Sequence, residues 1–571
     1  MPEKLFNLFL KSRGYTPDYL NTINMAGNRQ LKNISQLCAI LEQIHNSQQK
    51  LVIMPDFDCD GISSGTLGFA GLCQLGFNVS LYLPHPEQGY GIKIADIDRV
   101  LQAYPDTKWL ITCDVGQTCY AAFKYAYSKG LKVLVTDHHE QTYAKEPLQC
   151  EIVVNPCQFN EPYNKNRPDP NFNICGAYVL YQVLYHYTKR YQPDQLNLIS
   201  ILGVFAGIGT VGDMMPLIQE NRLLIKFTVD MLNYLHDTPD LNTILTGVNP
   251  IYFRAFNGLS IWLKVLEKEH KIFDGIDEDF LGYTLIPMFN SVKRMNLPMT
   301  LVFSVFFSPD PQKQAEYAED LVIANDQRKI KVKSYMGRIE QEVVDHKQPY
   351  APYFYFTDAD SGILGLIANQ IKNTLRVPVF VLNRKDLAGS GRSYFYFPVV
   401  QMCQKTEFKA QGHNSAFGIS FKDFSQFERF YKLVTNTLPP LIEKYRHLKP
   451  TYDLKLVTRS NQGLPILTSA NGAEFVTDAK QLKPYGQGFK EPDLAIGVLS
   501  NQADFRTMGK NKQHLKITLP GDIELISWNN AKELDKLNET SSFIFHGNLG
   551  INHFKGKDTL QMIGNLAPKN E

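Results

Sequence analysis

The nine cysteines of this sequence are scattered and form no C-x-x-C pair, so neither a disulfide framework nor a structural zinc site is indicated. A reducing cytoplasm is the expected compartment. An excess of one charge is also missing: 59 Lys and Arg stand against 57 Asp and Glu, a formal net charge of +2. That balance neither requires nor excludes nucleic acid, because a basic groove can be offset by an acidic metal site. The first residues, MPEKLFNLFLKSRGY, mix both charges and hold no long apolar run, so no signal peptide is expected. The most apolar stretch, Leu196 to Ile218, is rich in Gly and meets Asp213, which predicts a buried helix and turn rather than a membrane span. There is no internal repeat, no low-complexity segment and no convincing Ser-His-Asp or Cys-His arrangement. What remains is a chain of 571 residues, 44% apolar and 20% charged, too long for a single core. About three or four domains are expected.

The stretch Leu51-Val52-Ile53-Met54-Pro55-Asp56-Phe57-Asp58-Cys59-Asp60-Gly61 organises the first of them. An apolar run typical of a buried parallel strand ends in three alternating carboxylates. Gly61 and Ser63-Ser64 then open a helix. Three Asp within five residues repel one another unless something positive sits between them, and a divalent cation with oxygen ligands suits that role. Further apolar runs follow: Asn78 to Leu83, Lys108 to Asp114, Lys132 to His139, and Glu151 to Asn155. Helix-like segments separate several of these, so the pattern predicts a mostly parallel α/β sheet. Asp56, Asp58, Asp60, Asp114, Asp137, His138 and His139 all fall at carboxyl ends of predicted strands, where such sheets bind ligands. Asp213, after a long apolar helix, can reach the same edge.

Five or six carboxylates with one or two imidazoles suit a pair of divalent ions, with Asp114 bridging them. Mostly oxygen ligands select Mg2+ or Mn2+, and an imidazole moves the preference towards Mn2+. Two such ions can activate a water and stabilise the leaving oxygen of a phosphodiester, with no side-chain nucleophile.

Asp56-x-Asp58-x-Asp60-Gly61, the lone Asp114, Asp137-His138-His139 and Gly209-Thr210-x-x-Asp213 resemble, in order and spacing, the four motifs of the DHH phosphoesterase superfamily. Gly389-Ser390-Gly391-Arg392-Ser393 and Gly412-His413-x-x-Ala416-x-Gly418 resemble substrate-binding motifs of the DHH-associated domain. Leu482 to Gly486 and His514-Leu515-Lys516 resemble segments of the RecJ oligonucleotide-binding barrel. The resemblance spans about 50 to 565 and points to the RecJ-like single-strand exonucleases. It implies a metal shell of Asp56, Asp58, Asp60, Asp114, His138 and Asp213, without saying which of the first three touch metal directly. It also implies that Asp137 orients a histidine and that His139 contacts the scissile phosphate. The substrate-facing residues it implies are His85, Asn290, Arg294, Ser390, Arg392, Ser393, Gly412 and His413. Read without the family, Gly-Ser-Gly-Arg-Ser lets a phosphate approach backbone N–H groups while the Arg fork grips its oxygens.

This chain departs from the family at three positions. His85 stands where an Arg is usual, Gln411 replaces a glycine, and Asp360 replaces a histidine before Gly362. In the barrel, Arg506, Lys510, Lys512 and Lys516 interleave with Phe505, as suits a groove that follows a phosphate backbone and stacks bases.

The expected architecture is α/β, with two α/β domains joined by a long helix and a C-terminal β-barrel of OB type. Residues 1–48 form an N-terminal helical extension, 49–235 the DHH catalytic domain with its parallel sheet, and 236–346 a helical bridge and long connecting helix. Residues 347–435 form the DHH-associated substrate-binding domain, and 436–571 a linker and the barrel. The expected activity is metal-dependent 5′-to-3′ hydrolysis of single-stranded DNA in repair and recombination, by a cytoplasmic monomer working beside a single-strand-binding protein or helicase. Two rivals are a phosphoesterase of short oligonucleotides or cyclic dinucleotides, and a non-catalytic replication scaffold.

Overall fold

The computed structural model describes residues 3–16, 31–85, 89–139, 147–157, 173–273, 275–344, 348, 350–394, 396–404, 406–446, 452–458, 464–554 and 556–567. The chain forms two compact units. One comprises Gly27–Pro216 and Leu223–His447, and the other Met1–Ala26, Leu217–Arg222 and Leu448–Glu571.

The larger unit begins with a five-stranded sheet of β1 (Lys50–Pro55), β2 (Val79–Leu81), β3 (Thr107–Cys113), β4 (Lys132–Thr136) and β5 (Ile152–Val154). Its order is β2-β1-β3-β4-β5 and every pairing is parallel. Leu51 to Met54 are buried, which is why the central strand reads as an unbroken apolar run. The register aligns Pro55 with Cys113 and Cys113 with Thr136. Asp56, Asp114 and Asp137 are therefore the first residues beyond three adjacent strands.

Helices Cys59–Gln74 and Gly176–Tyr191 bury their faces beside this sheet, and Ile34–Ser47 packs with them through Leu37, Cys38, Leu41 and Ile44. Pro193–Gly212 is long and apolar enough to cross a membrane, yet 56% of that window is buried inside the protein. Leu202, Val204, Phe205 and Ile208 within it are core residues.

A helical bridge leads to the 34-residue helix Pro311–Val344. The second sheet has the order β6-β7-β8-β10-β9, built from β6 (Tyr353–Thr357), β7 (Val379–Asn383), β8 (Ala388–Arg392), β9 (Lys409–His413) and β10 (Ala416–Ser420). Only β6 and β7 are parallel. Phe354, Phe380, Phe417 and Phe430 fill its core in edge and stacked contacts.

The smaller unit is a seven-stranded sheet of β11 (Leu454–Val457), β12 (Leu494–Leu499), β13 (Asp504–Met508), β14 (His514–Leu519), β15 (Ile523–Ser527), β16 (Ser542–Phe554) and β17 (Lys557–Leu566). The order is β11-β12-β16-β17-β15-β14-β13. Its apolar core takes in Leu515, Ile517, Leu525, Phe545 and Met562.

Residues 1–48 do not form a single extension. Leu5–Ser12 belongs to the barrel unit, because Phe6 and Phe9 bury against Phe475 and Arg13 grips Asp453 with two bonds of 2.7 and 2.6 Å. Ile34–Ser47 belongs to the first sheet. A short piece of the 49–235 segment also joins the barrel unit: fully buried Arg222 donates to the carbonyls of Leu482, Lys483 and Pro484 at 2.6–2.9 Å. A buried guanidinium needs acceptors, and that stretch of backbone supplies them.

Candidate active site

Beyond the carboxyl edge of the first sheet, ligand atoms gather in three overlapping sets, each within 4.8 Å: Asp56, Asp58 and Asp114; Asp114, His138 and His139; Asp60, His138 and Asp213. Asp114 is common to two sets and His138 to two. Such sharing suits a pair of divalent ions better than one. Asp114 has a left-handed backbone (φ 63°), which turns its carboxyl back over the strand ends. Its Oδ1 is buried and among the described residues accepts no hydrogen bond, although His138 Nε2 lies 3.2 Å away. A buried carboxylate oxygen in that condition, among others of its own sign, fits a cation. His138 Nε2 also faces Asp213 at 3.4 Å and Asp60 at 3.8 Å.

The electrostatics agree. Burial, then Asp58, pushes Asp56 well up; burial, then Asp60, pushes Asp58 up. Burial followed by Asp60, Asp58 and Asp56 does the same to Asp114, and burial with Asp60 and Asp58 to Asp213. Four carboxylates raised together describe a site short of positive charge.

The three carboxylates of the first motif differ in how far the protein occupies them. Asp60 sits on the N-terminus of Gly176–Tyr191, accepting from Gly176 N–H at 2.6 Å and Ala177 N–H at 3.0 Å. Gly209 is required beside it, since a Cβ there would meet the Asp60 carboxylate and lie 2.9 Å from Ala177 Cβ. Asp58 caps the Cys59–Gln74 helix through one oxygen, accepting from Asp60 and Gly61 N–H at 3.0 and 3.1 Å. Gly61 allows that turn, because a Cβ there would collide with the Asp56 backbone.

Asp137 acts on the histidine beside it. Its Oδ1 meets His139 Nδ1 at 2.8 Å and accepts the His138 and His139 amides, while Oδ2 accepts Gln117 N–H at 2.8 Å. Burial alone would raise Asp137; the bond and charge of His139 and these amides hold it below the usual carboxylate range. Burial opposes protonation of His139, but Asp137 outweighs it and drives the imidazole up to about 9. Asn155 fixes the same turn, donating to the His139 carbonyl at 2.9 Å and to Gln117 at 3.1 Å.

In the same unit a basic group collects from three elements. Arg294 ends Ser291–Arg294, Arg328 lies on Pro311–Val344 and Arg392 ends β8. Arg294 is pushed down to about 10 by burial and then by Arg328 and Arg392; burial also lowers the other two. Among the described residues no carboxylate lies within ion-pair distance of any of the three. Ser393 Oγ is buried and makes no hydrogen bond among the described residues. Guanidinium groups massed with no ion-paired carboxylate among the described residues, with a spare hydroxyl, suit an anion.

The other expected residues are placed as follows. His85 is exposed and lines a small cavity with Asp56 and Phe57. Asn290 Oδ1 accepts the amide of Cys59 at 3.0 Å, so it supports the carboxylate loop directly. Ser390 lies on β8; Gly412, on β9, has φ 120°; the side chain of His413 lies outside the described residues. Asp360 pairs with Lys331 of the long helix. In the barrel, Arg506, Lys510 and Lys512 are exposed. Lys516 is not available to a phosphate: its ammonium pairs with Glu524, and both side chains are mostly buried. Phe505 does not stack bases either. It turns inward against Phe543, because Phe505 pairs with core residue Ile517 and shares its face. Trp528 and Phe554 are the exposed aromatics of this unit instead.

Arg328, Lys293, Tyr90, Gln117 and Asn155 escape a reading of the sequence. Lys293, its ammonium 3.9 Å from the Phe57 ring centre, is adjacent to an expected residue and could have been included. Arg328 carries no local signal on an evenly charged helix.

Residues 50–208 match the DHH family N-terminal domain, and residues 466–565 match the RecJ OB domain. The chain is 25% identical to the single-stranded-DNA-specific exonuclease RecJ of Haemophilus influenzae, over 95% of this chain and 91% of that one. It is 23% identical to the Bacillus subtilis protein of the same name over 94% of this chain, but spans only 63% of that longer relative. The crystal structure of Thermus thermophilus RecJ in complex with Mn2+ superposes with a TM-score of 0.73 at 19% identity, covering 99% of this chain and 76% of that one. Its Mg2+ complex gives 0.70 at 16% identity, with 99% and 74% covered.

Proposed function

We propose that this chain, a RecJ-like member of the DHH family, is a metal-dependent exonuclease that removes nucleotides from the 5′ end of single-stranded DNA. The observation that carries the reading is the pair of ligand sets joined through Asp114, in one unit with a basic group that has no carboxylate in ion-pair reach among the described residues. Asp56, Asp58, Asp114, His138 and Asp213 would hold two ions, Mn2+ or Mg2+, with Asp60 held mainly by a helix N-terminus. Bound there, two such ions supply a water activated at neutral pH and charge stabilisation for the leaving oxygen.

The protein's own residues do the rest. Asp137 fixes the His139 ring so that its other nitrogen faces the scissile phosphate. Arg294, Arg328, Arg392 and Ser393 take up phosphate oxygens, which positions the strand end. His85 at the rim adds a hydrogen bond for the terminal phosphate. In the barrel, Arg506, Lys510 and Lys512 follow the backbone, and Trp528 and Phe554 offer faces for bases. A barrel of this kind favours polymeric DNA over a cyclic dinucleotide. The chain acts as a cytoplasmic monomer in repair and recombination, beside a single-strand-binding protein or helicase.

The test is hydrolysis of a 5′-phosphorylated oligonucleotide by metal-free protein, with Mn2+, Mg2+ or Ca2+ added in turn. Turnover with Mn2+ exceeding that with Mg2+, and little with Ca2+, is expected. Full activity in EDTA would refute the reading.

A further inference from the structure

Tyr90, in the Gly89-Tyr90-Gly91 turn, approaches the histidine of the third acidic motif. Its hydroxyl lies 3.1 Å from His139 Nδ1, and the two rings meet at 5.3 Å between centres with an angle of 59°. Its loop is built to hold this pose. Gly89 and Gly91 on either side have φ of 73° and 86°. Lys93 Nζ donates to the Tyr90 carbonyl at 2.6 Å, and Ile92 N–H donates to Cys119 Sγ at 3.3 Å.

Hydrogen counting decides what the hydroxyl can do. Asp137 Oδ1 is 2.8 Å from the same Nδ1 and already accepts the His138 and His139 amides, so the carboxylate is the acceptor and the nitrogen points its proton at it. The phenol oxygen can share that N–H only as an acceptor. Among the described residues its own O–H is thereby left over. A phenol keeps its proton at neutral pH, so that O–H stays available as a donor. With 38% of its surface exposed, Tyr90 is open to whatever enters the site.

We infer that Tyr90 is a further catalytic residue, its O–H donating to a non-bridging oxygen of the scissile phosphate beside His139. This rests on the phosphodiesterase reading above and adds a donor to the residues assigned there. A hydrogen bond to a charged oxygen, formed best as charge builds in the transition state, corresponds to a rate factor of about ten to a hundred.

The experiment compares full-length wild type with Tyr90→Phe, which keeps the ring and removes only the hydroxyl. Both receive saturating Mn2+ and a 5′-phosphorylated single strand, with thermal melting as the check on folding. A fall of about ten- to a hundredfold in kcat is expected, with KM, the Mn2+ midpoint and the melting temperature unchanged. Strands carrying one phosphorothioate diastereomer at the scissile position give the direct signature. Sulfur accepts a hydrogen bond poorly, so the deficit of Tyr90→Phe should shrink on one diastereomer only. A kcat within about twofold of wild type, a deficit equal on both diastereomers, or a parallel loss of Mn2+ affinity would each overturn the assignment. Wild type unable to cleave any single strand would instead sink the phosphodiesterase reading, and this inference with it.

Discussion

Replacing Asn290 by Ala should loosen the carboxylate loop before it affects DNA binding. Asn290 Oδ1 accepts the Cys59 amide at 3.0 Å, and Cys59 is only 1% exposed, so no water replaces the lost acceptor. A buried N–H left unpaired costs about 1–3 kcal/mol. Cys59 lies between Asp58 and Asp60, so the same loss should weaken Mn2+ binding by about two- to tenfold if half of that cost falls on the metal-competent loop. Asn290→Asp separates the two effects. It keeps the acceptor but adds a negative charge beside a group already raised by mutual repulsion. Thermal melts in EDTA and in Mn2+ read the difference: Ala should melt early in both, Asp early only in EDTA. Asn290→Ala that melts and binds Mn2+ like wild type, with only KM for DNA raised, would refute the loop-support role.

Three further outcomes follow from other parts of the structure. Asp114→Asn should abolish turnover yet stabilise metal-free protein. The raised carboxylates give the fold a stability that is present below their unfolded value near 3.8 and lost as pH rises through their folded values, so the gain should be larger at pH 7.5 than at pH 5 in EDTA melts. Arg222→Met should destabilise the barrel unit by about 3 kcal/mol or more, since three backbone carbonyls lose their donor, measurable as early proteolysis of that unit. Reversing Lys510 and Lys512 to Glu should weaken single-strand binding and lower its salt slope by about 0.7 for each phosphate no longer neutralised, while hydrolysis of very short strands survives.

The metal centre was largely legible in the sequence because it depends on strand ends. An apolar run closed by Asp is a local pattern, and a parallel sheet then aligns three such ends whatever the details of the helices. Residues that act across the fold were not legible in the same way. Arg328 comes near Arg294 only because of how the long helix is rotated, which its even charge does not reveal. Lys516 looked free until the β14–β15 pairing brought Glu524 to it, and Phe505 looked exposed until its alignment with Ile517 put it on the core face. Leu5–Ser12 and Arg222 join the barrel through partners hundreds of residues away in sequence, which no local pattern carries. Asn290, expected to face the nucleic-acid backbone, has the carboxylate loop itself as its partner, a contact 231 residues apart in sequence.

The most direct measurement is the product ladder from a 3′-labelled, 5′-phosphorylated single strand incubated with Mn2+ and sampled over time. A two-ion enzyme that grips the 5′ end against Arg294, Arg328 and Arg392 should shorten the labelled strand progressively from its unlabelled end and leave a blunt duplex of the same sequence intact. Immediate release of the labelled 3′ nucleotide, or digestion of the duplex at an equal rate, would contradict it.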